Sequence, residues 1–550
     1  MEFKPDTAPV GGSLLISALL AMLPLIVVFV ALGVAKMKAH WSCLLGAAVA
    51  MVIAVLAFKM PVGMTVASFT EGAAFGIFPI TWIVLCAIFL FELTVASGHH
   101  ADLMRAFNVI SNDPRALGIL IAFSFCALLE ALAGFGAPVA IVGVMLVAIG
   151  LKPMKAALTV LVGNTFAVPF GAIATPVITG AAITSIPAQE LGMYITRQTA
   201  VMAWVVPILL LIIMDGAKGV KELWPLALVV GITYSIATWV SAAYISTELT
   251  NMVAALVSLA FGVLMLRFWQ PKGVTEAIAR MTGKEAAATA KDNEDVPVTF
   301  KSVAWALFPY ILVIVVFAVT QMIPVVKKAL AATNIKIHWP GLWSGDTNLV
   351  LTAEGKATSS ALYTFTWLSS PGTLLLLTAI LLSICYGMKP AQVWKVFSTQ
   401  VYKLRWTFVT IGSVLGLAYV MNFSGQTLTI GYWIAGAGAV FAFLCPILGW
   451  IGTAVTGSGT SATALFASLQ QTAASQIGVD PSLLVGASTV GGAVGKMISP
   501  QTLAIAATAV EGKESDMLRK SLPWSIGLLV ILCIIVGLES TSVLGWLLPA

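Results

Sequence analysis

Charge is scarce in this sequence. Asp, Glu, Lys and Arg make up 9% of its 550 residues, against roughly a quarter in soluble globular chains. With 59% hydrophobic residues and a mean hydropathy of +1.00, a water-soluble globular fold is excluded. The six cysteines (Cys43, Cys86, Cys126, Cys385, Cys445 and Cys533) lie in apolar stretches, with no CxxC and no histidine at metal-ligand spacing. They read as small buried hydrophobes. HExxH, Walker, GxSxG and paired intramembrane aspartate patterns are all missing, which removes the common enzyme readings and coupling to ATP. The excess of 29 basic over 23 acidic residues is small and reads as topological rather than as a nucleic-acid footprint. No nucleic-acid partner, metal or cofactor is expected.

What the chain has instead is apolar runs of membrane-spanning length, beginning with Leu14 to Ala35, which is too long for a signal-peptide core and is expected to be retained as the first span. The runs predict an all-α polytopic membrane protein of about 12 to 14 transmembrane helices. The longest polar stretches, 270–301 and 325–370, read as loops. Basic residues near span ends (Lys36, Lys38, Arg105, Arg115, Lys218, Lys221 and the 270–301 loop) place those loops in the cytoplasm. The N-terminus and the 325–370 loop then lie outside.

Two regions, 116–190 and 451–510, are apolar but broken by Gly, Pro, Ser and Thr, and they match each other. Ala133-Gly134-Phe135-Gly136, Ile149-Gly150-Leu151-Lys152-Pro153, Asn164-Thr165 and Gly171-Ala172-Ile173-Ala174-Thr175-Pro176 correspond to Thr456-Gly457-Ser458-Gly459, Ile477-Gly478-Val479-Asp480-Pro481, Ser488-Thr489 and Gly495-Lys496-Met497-Ile498-Ser499-Pro500, at an offset of about 324 residues. The charge count starts the first region inside and the second outside, so the two read as inverted repeats carrying re-entrant or broken hairpins. Unwound backbone survives at membrane depth only where protein or a wet cavity surrounds it. Matched broken segments in two repeats therefore point to a secondary transporter with its site between them. Small residues that merely let helices pack closely are the alternative explanation for any single GxG.

Few side chains inside these regions carry chemistry, and each charged one is costly to insert. Glu130 lies four residues before Gly134, flanked by apolar residues. A carboxyl in such surroundings is a candidate for taking up and releasing a proton, the alternative being a carboxylate held by a structural ion pair. Lys496 is the sole cation in either repeat core, opposite Ala172 in the alignment. It reads as an attractant for an anionic substrate or a partner for Glu130, with snorkelling to the interface as the alternative. Ser458, Gly459, Thr460 and Ser461 offer hydroxyls, flexible backbone and a helix N-terminus for a small acid, while Gly134 and Gly136 belong to the apolar counterpart. Asn164, Thr165, Ser499 and Gln501 are second-rank polar candidates, since each can bond to its own helix. The His99–His100 pair reads as a solvated loop end, and Arg197 as an interfacial residue.

The segments EALAGFGAPVAI from Glu130, GNTFAVPFGA from Gly163, MDGAKGVKELWP from Met214, GWIGTAVTGSGTSATALFASLQ from Gly449 and VGGAVGKMISPQTLAIA from Val490 resemble the lactate permease family, which includes the glycolate permeases, over essentially the whole chain. The resemblance implies a bacterial inner-membrane symporter taking up small 2-hydroxymonocarboxylates with a proton. It also implies kinship with transporters that move a domain bearing paired re-entrant hairpins. Glu130, Gly134, Gly136, Asn164, Lys496, Ser499 and Gln501 match the family pattern. Gly459 departs from it, standing where the pattern has an acid, and so does Thr463, standing where it has an amide. These departures leave sodium coupling, or another small organic anion, as the rival within the transporter class. A sensor, a channel-like facilitator and a membrane enzyme are the rivals outside it.

Overall fold

A computed structural model of the chain describes residues 2–99, 107, 110–134, 136–282, 300–352, 355, 358, 361–509 and 514–545. The protein is a helical bundle. Among the described residues, 11 helical stretches are long and apolar enough to cross a membrane, and four shorter apolar helices (Pro138–Ala148, Pro153–Gly163, Pro371–Cys385 and Val440–Thr456) accompany them. One stretch, Ala188–Ile245, runs to 58 residues, enough for more than one crossing, and the all-α polytopic class expected from the sequence is the one found. Pro138–Ala148 and Pro153–Gly163 lie in the first broken region, where glycine and proline stop a helix before it reaches full length.

Small residues set how closely the helices approach. Between Val440–Thr456 and Pro481–Lys496 a Cβ added at Gly449 would lie 1.8 Å from the Ser488 carbonyl oxygen, and one at Gly491 would lie 2.1 Å from that of Pro446. Lipid offers helices no hydrophobic drive to associate, so this backbone-to-backbone packing is what holds the pair together.

One charged stretch is more ordered than the sequence predicts. Apolar runs at 197–214 and 223–243 imply two helices and a connecting loop; two helices are found within Val206–Val240, but they abut at Gly216, whose backbone (φ 69°, ψ −153°) is non-helical. Its charges are neutralised from the side. Arg115, fully buried, pairs with Asp113 (2.9 Å), Asp215 (3.0 Å) and Glu222, and donates to the Lys272 carbonyl (3.1 Å). Arg280, on the short helix Val274–Thr282, also binds Asp215 (2.7 Å). The 270–301 loop is thereby pinned at its start, while 283–299 lies outside the described residues.

The 325–370 segment also carries structure of its own. After the helix Pro324–Ala331, strands Ile335–His338 and Leu362–Phe365 pair antiparallel, as do Trp343–Ser344 and Thr347–Asn348. Phe3 bonds through its backbone to Leu349 and Leu351 (2.8 and 2.9 Å), so the N-terminal segment and this loop share one side of the molecule. Among the cysteines, Cys385 is exposed and Cys533 half-buried, unlike the four that are buried as expected. Both lie on helices with a face outside the bundle.

Candidate functional site

The two broken regions meet in the middle of the bundle. In the first, Cys126–Ala133 and Ala137–Ala148 are separated by a turn in which Gly136 takes φ 97°. In the second, Val440–Thr456 and Gly459–Ile477 are separated at Gly457 (φ 74°), and Ser458 caps the following helix by accepting the Ser461 N–H (3.2 Å). The helix Gly171–Thr184 opens with Ala172, Ile173 and Ala174 all in the left-handed region (φ 43°, 56° and 57°). That conformation costs an L-residue about 1–2 kcal/mol. It persists because all three are buried and held from every side. The fourth element, Pro500–Ala509, begins at Ser499, whose Oγ accepts the Thr502 N–H (3.3 Å).

These four helix starts face one small cavity. Gly136, Thr175 and Pro176, Gly459 and Thr460, and Gln501 and Thr502 line it, one group from each start, together with Glu130, Lys496 and Ser458. Each helix N-terminus carries the positive end of a dipole, so these helix starts favour negative charge in the cavity.

Glu130 and Lys496 touch. Lys496 Nζ lies 2.7 Å from Glu130 Oε1 and donates at 2.7 Å to the Gly134 carbonyl, which the break in the first hairpin leaves free. Glu130 is 1% exposed and Lys496 7%, so the lysine does not snorkel. Asn164 Nδ2 donates to the other carboxylate oxygen (2.9 Å) while its Oδ1 accepts from Cys126 Sγ (3.3 Å). The carboxyl group fills the space that side chains at Gly134 and Gly171 would need, since a Cβ there would sit 2.9 and 2.8 Å from Oε1.

The other predicted residues divide by position. Gly134, Gly136, Ser458, Gly459, Thr460 and Gln501 line the cavity with the ion pair. Asn164 and Thr165 line a smaller neighbouring cavity that shares Val168, Lys496 and Thr502 with the first. Their polar groups are already engaged: Asn164 orients Glu130, and Thr165 Oγ1 bonds to the Leu161 carbonyl of its own helix (3.2 Å). Ser461 is buried behind the Ser458 cap, and Ser499 Oγ donates to Thr502 Oγ1 (2.8 Å). Sequence reasoning did not single out Thr175, Thr502, Val168, Pro176 and Ile505, all of which line the cavity. A signal existed for Thr175 and Pro176, which align with Ser499 and Pro500. The His99 ring packs on Tyr386 (4.5 Å), and His100 lies outside the described residues. Glu71, 1% exposed, has no hydrogen-bond partner for either carboxyl oxygen among the described residues.

The L-lactate permease family matches residues 17–542. The chain belongs to the L-lactate permease family. An L-lactate permease of Bacillus subtilis (strain 168) is 37% identical over the full length of both chains. The glycolate permease GlcA of Escherichia coli (strain K12) is 38% identical over 98% of each. Among solved structures, the YdaH transporter of Alcanivorax borkumensis aligns over 86% of this chain and 87% of its own, at 15% identity and a TM-score of 0.46. This L-lactate permease family member is thus a multi-pass membrane transporter. Its central cavity combines one lysine, four helix N-termini and several hydroxyls with a single carboxylate, an environment suited to a small organic anion.

Proposed function

We propose that the protein takes up lactate and glycolate across the bacterial inner membrane, one proton accompanying each anion, with its N-terminus outside and its two broken repeats inverted relative to one another. The observation that carries this reading is the Glu130–Lys496 ion pair at the wall of a cavity ringed by helix N-termini. A substrate carboxylate and the Glu130 carboxylate are competitors for the same ammonium group. While Glu130 is charged, Lys496 is occupied. When Glu130 takes up a proton, the competitor disappears, and Lys496 and the helix ends are free to receive the substrate carboxylate. In this scheme the hydroxyls of Ser458, Thr460 and Thr175 bond the 2-hydroxyl. Proton and anion enter together because each makes room for the other, and the pair crosses without net charge against an inside-negative potential.

The test is uptake of labelled L-lactate by proteoliposomes under an imposed pH gradient, with Na⁺ or with choline, for the wild type and Glu130→Gln. The expected result is accumulation driven by the pH gradient and indifferent to Na⁺. In the variant, accumulation is lost while lactate–lactate exchange survives, because Lys496 is permanently free. Accumulation that requires Na⁺ would replace the proton in this scheme, and no lactate or glycolate uptake under any gradient would overturn the substrate assignment.

A further inference from the structure

Glu130 holds a different donor on each carboxylate oxygen. Oε1 takes the Lys496 ammonium and Oε2 the Asn164 amide. The two donors differ in freedom. Lys496 sits on a flexible four-carbon stem and lines the cavity. Asn164 is short and 4% exposed, and its Oδ1 accepts from the thiol of Cys126, which is fully buried. The amide cannot turn over while Glu130 is charged, because Oδ1 would then face a carboxylate oxygen and neither could donate. When Glu130 is neutral that repulsion is gone, and the Cys126 thiol keeps the N–H side toward Oε2. Lys496 also donates to the Gly134 carbonyl, at the same 2.7 Å as to Oε1, so its ammonium bridges these two oxygens. Besides Lys496, the titratable side chains that sense the Glu130 charge are Cys126 and Tyr234, and the Tyr234 hydroxyl donates to Asn251 Oδ1 (3.2 Å).

We infer that Asn164 and Cys126 are positioning residues that direct the coupling proton to Oε1 of Glu130, where it takes the place of the Lys496 ammonium between Oε1 and the Gly134 carbonyl. This rests on the transport reading above and deepens it. The new O–H bond forms at Oε1 with a proton taken from a hydronium ion that reaches the cavity, leaving water. Lys496 departs still protonated, and the Gly134 carbonyl accepts from the new hydroxyl instead of the lysine. Oε2 becomes the carbonyl oxygen of a neutral acid and keeps the Asn164 N–H, so neither buried oxygen is orphaned. Proton uptake and lysine release are then one event. A proton on Oε2 would leave the ammonium on Oε1, and the carrier would bind protons without freeing Lys496 for substrate.

The experiment is infrared difference spectroscopy of the full-length protein in liposomes between alkaline and acidic pH, paired with lactate uptake by the same preparations. The C=O band of protonated Glu130 is the one that Glu130→Gln removes. A carbonyl stretch rises in frequency when its oxygen loses a hydrogen bond, so Asn164→Leu is expected to raise that band. Cys126→Ala, which frees the amide to turn, is expected to split it, and Cys126→Ser, which restores a donor, to bring back a single band. In uptake, Asn164→Leu removes a hydrogen bond from the charged form of Glu130. Its pH midpoint is expected to move to the alkaline side by about one unit or more, a gain in proton affinity of about 10-fold or more, and the lactate KM to lose its fall with acidification. If Asn164→Leu does not fold, the two Cys126 variants decide the matter. A Glu130 band that neither Asn164→Leu shifts nor Cys126→Ala splits overturns this inference alone. The absence of any Glu130-dependent band overturns the proton-coupled reading and this inference with it, and a wild type that shows the expected bands but takes up neither lactate nor glycolate overturns the substrate assignment alone.

Discussion

Lys496→Gln leaves Glu130 buried with Asn164 as its remaining side-chain partner, and Glu130→Gln leaves Lys496 buried with only the Gly134 carbonyl. Across the 2.7 Å contact, Coulomb's law at an effective dielectric constant of about 20 gives an attraction of about 6 kcal/mol, most of it offset by withdrawing two charges from water. Breaking such a pair from one side costs about 3–5 kcal/mol, whereas removing both charges together costs much less. Each single variant should therefore lose about 3–5 kcal/mol of stability, and the double variant should fall short of their sum by about 2–3 kcal/mol. Equilibrium unfolding of the purified protein in mixed micelles, followed by Trp fluorescence, reads this coupling directly. The two single variants should also differ in transport: Glu130→Gln retains exchange, and Lys496→Gln loses it. Stability losses that add to within about 0.5 kcal/mol would show that the two charges do not interact, and the competition argument for coupling would fail with them.

Two further substitutions test the frame around the site. Gly449→Ala drives a methyl group into the Ser488 carbonyl at 1.8 Å, and because both partners are backbone the helices must separate. Little folded protein should survive size-exclusion chromatography, and a normal monodisperse peak would refute the close packing. Arg115→Ala takes the buried guanidinium from Asp113 and leaves Asp215 and Glu222 to Arg280 alone, and should cost about 3–5 kcal/mol, while Arg280→Ala, at a site 29% exposed, should cost about 1 kcal/mol or less. Melting temperatures that fall equally in the two variants would contradict this ranking.

Much of this architecture is legible in the residues, and the exceptions have physical reasons. Apolar runs and Gly-rich breaks report directly on burial and on helix ends, so the helical class and the two broken regions follow from the sequence. Glu130 and Lys496 stand out because charge inside a membrane is costly and few residues carry it. Their contact spans 366 positions, and no local pattern encodes it. The stretch with Asp215, Lys218, Lys221 and Glu222 reads as a loop, whereas the second helix starts directly after the break at Gly216, with Arg115 and Arg280 placed beside Asp215 and Glu222. Asn164 is found as polar, but whether it faces substrate or another side chain depends on a partner in a different helix. The left-handed turn at Ala172–Ala174 has no signature, since neither alanine nor isoleucine favours it. Residues such as Val168 and Ile505 are typical membrane hydrophobes, and only the fold shows that a cavity borders them.

The Arg115 network decides which parts of the molecule are able to separate. One guanidinium binds the start of the stretch leading to Glu130, both sides of the break in Val206–Val240, and the chain at Lys272. Pulling any of these apart would expose an unpaired buried charge, so a transport cycle that keeps Arg115 buried must carry them as one body. The chain at Lys272 is then a tether fastened to the first hairpin's support rather than slack. Any sliding surface in this carrier has to run elsewhere, past apolar seams that no ion pair crosses among the described residues.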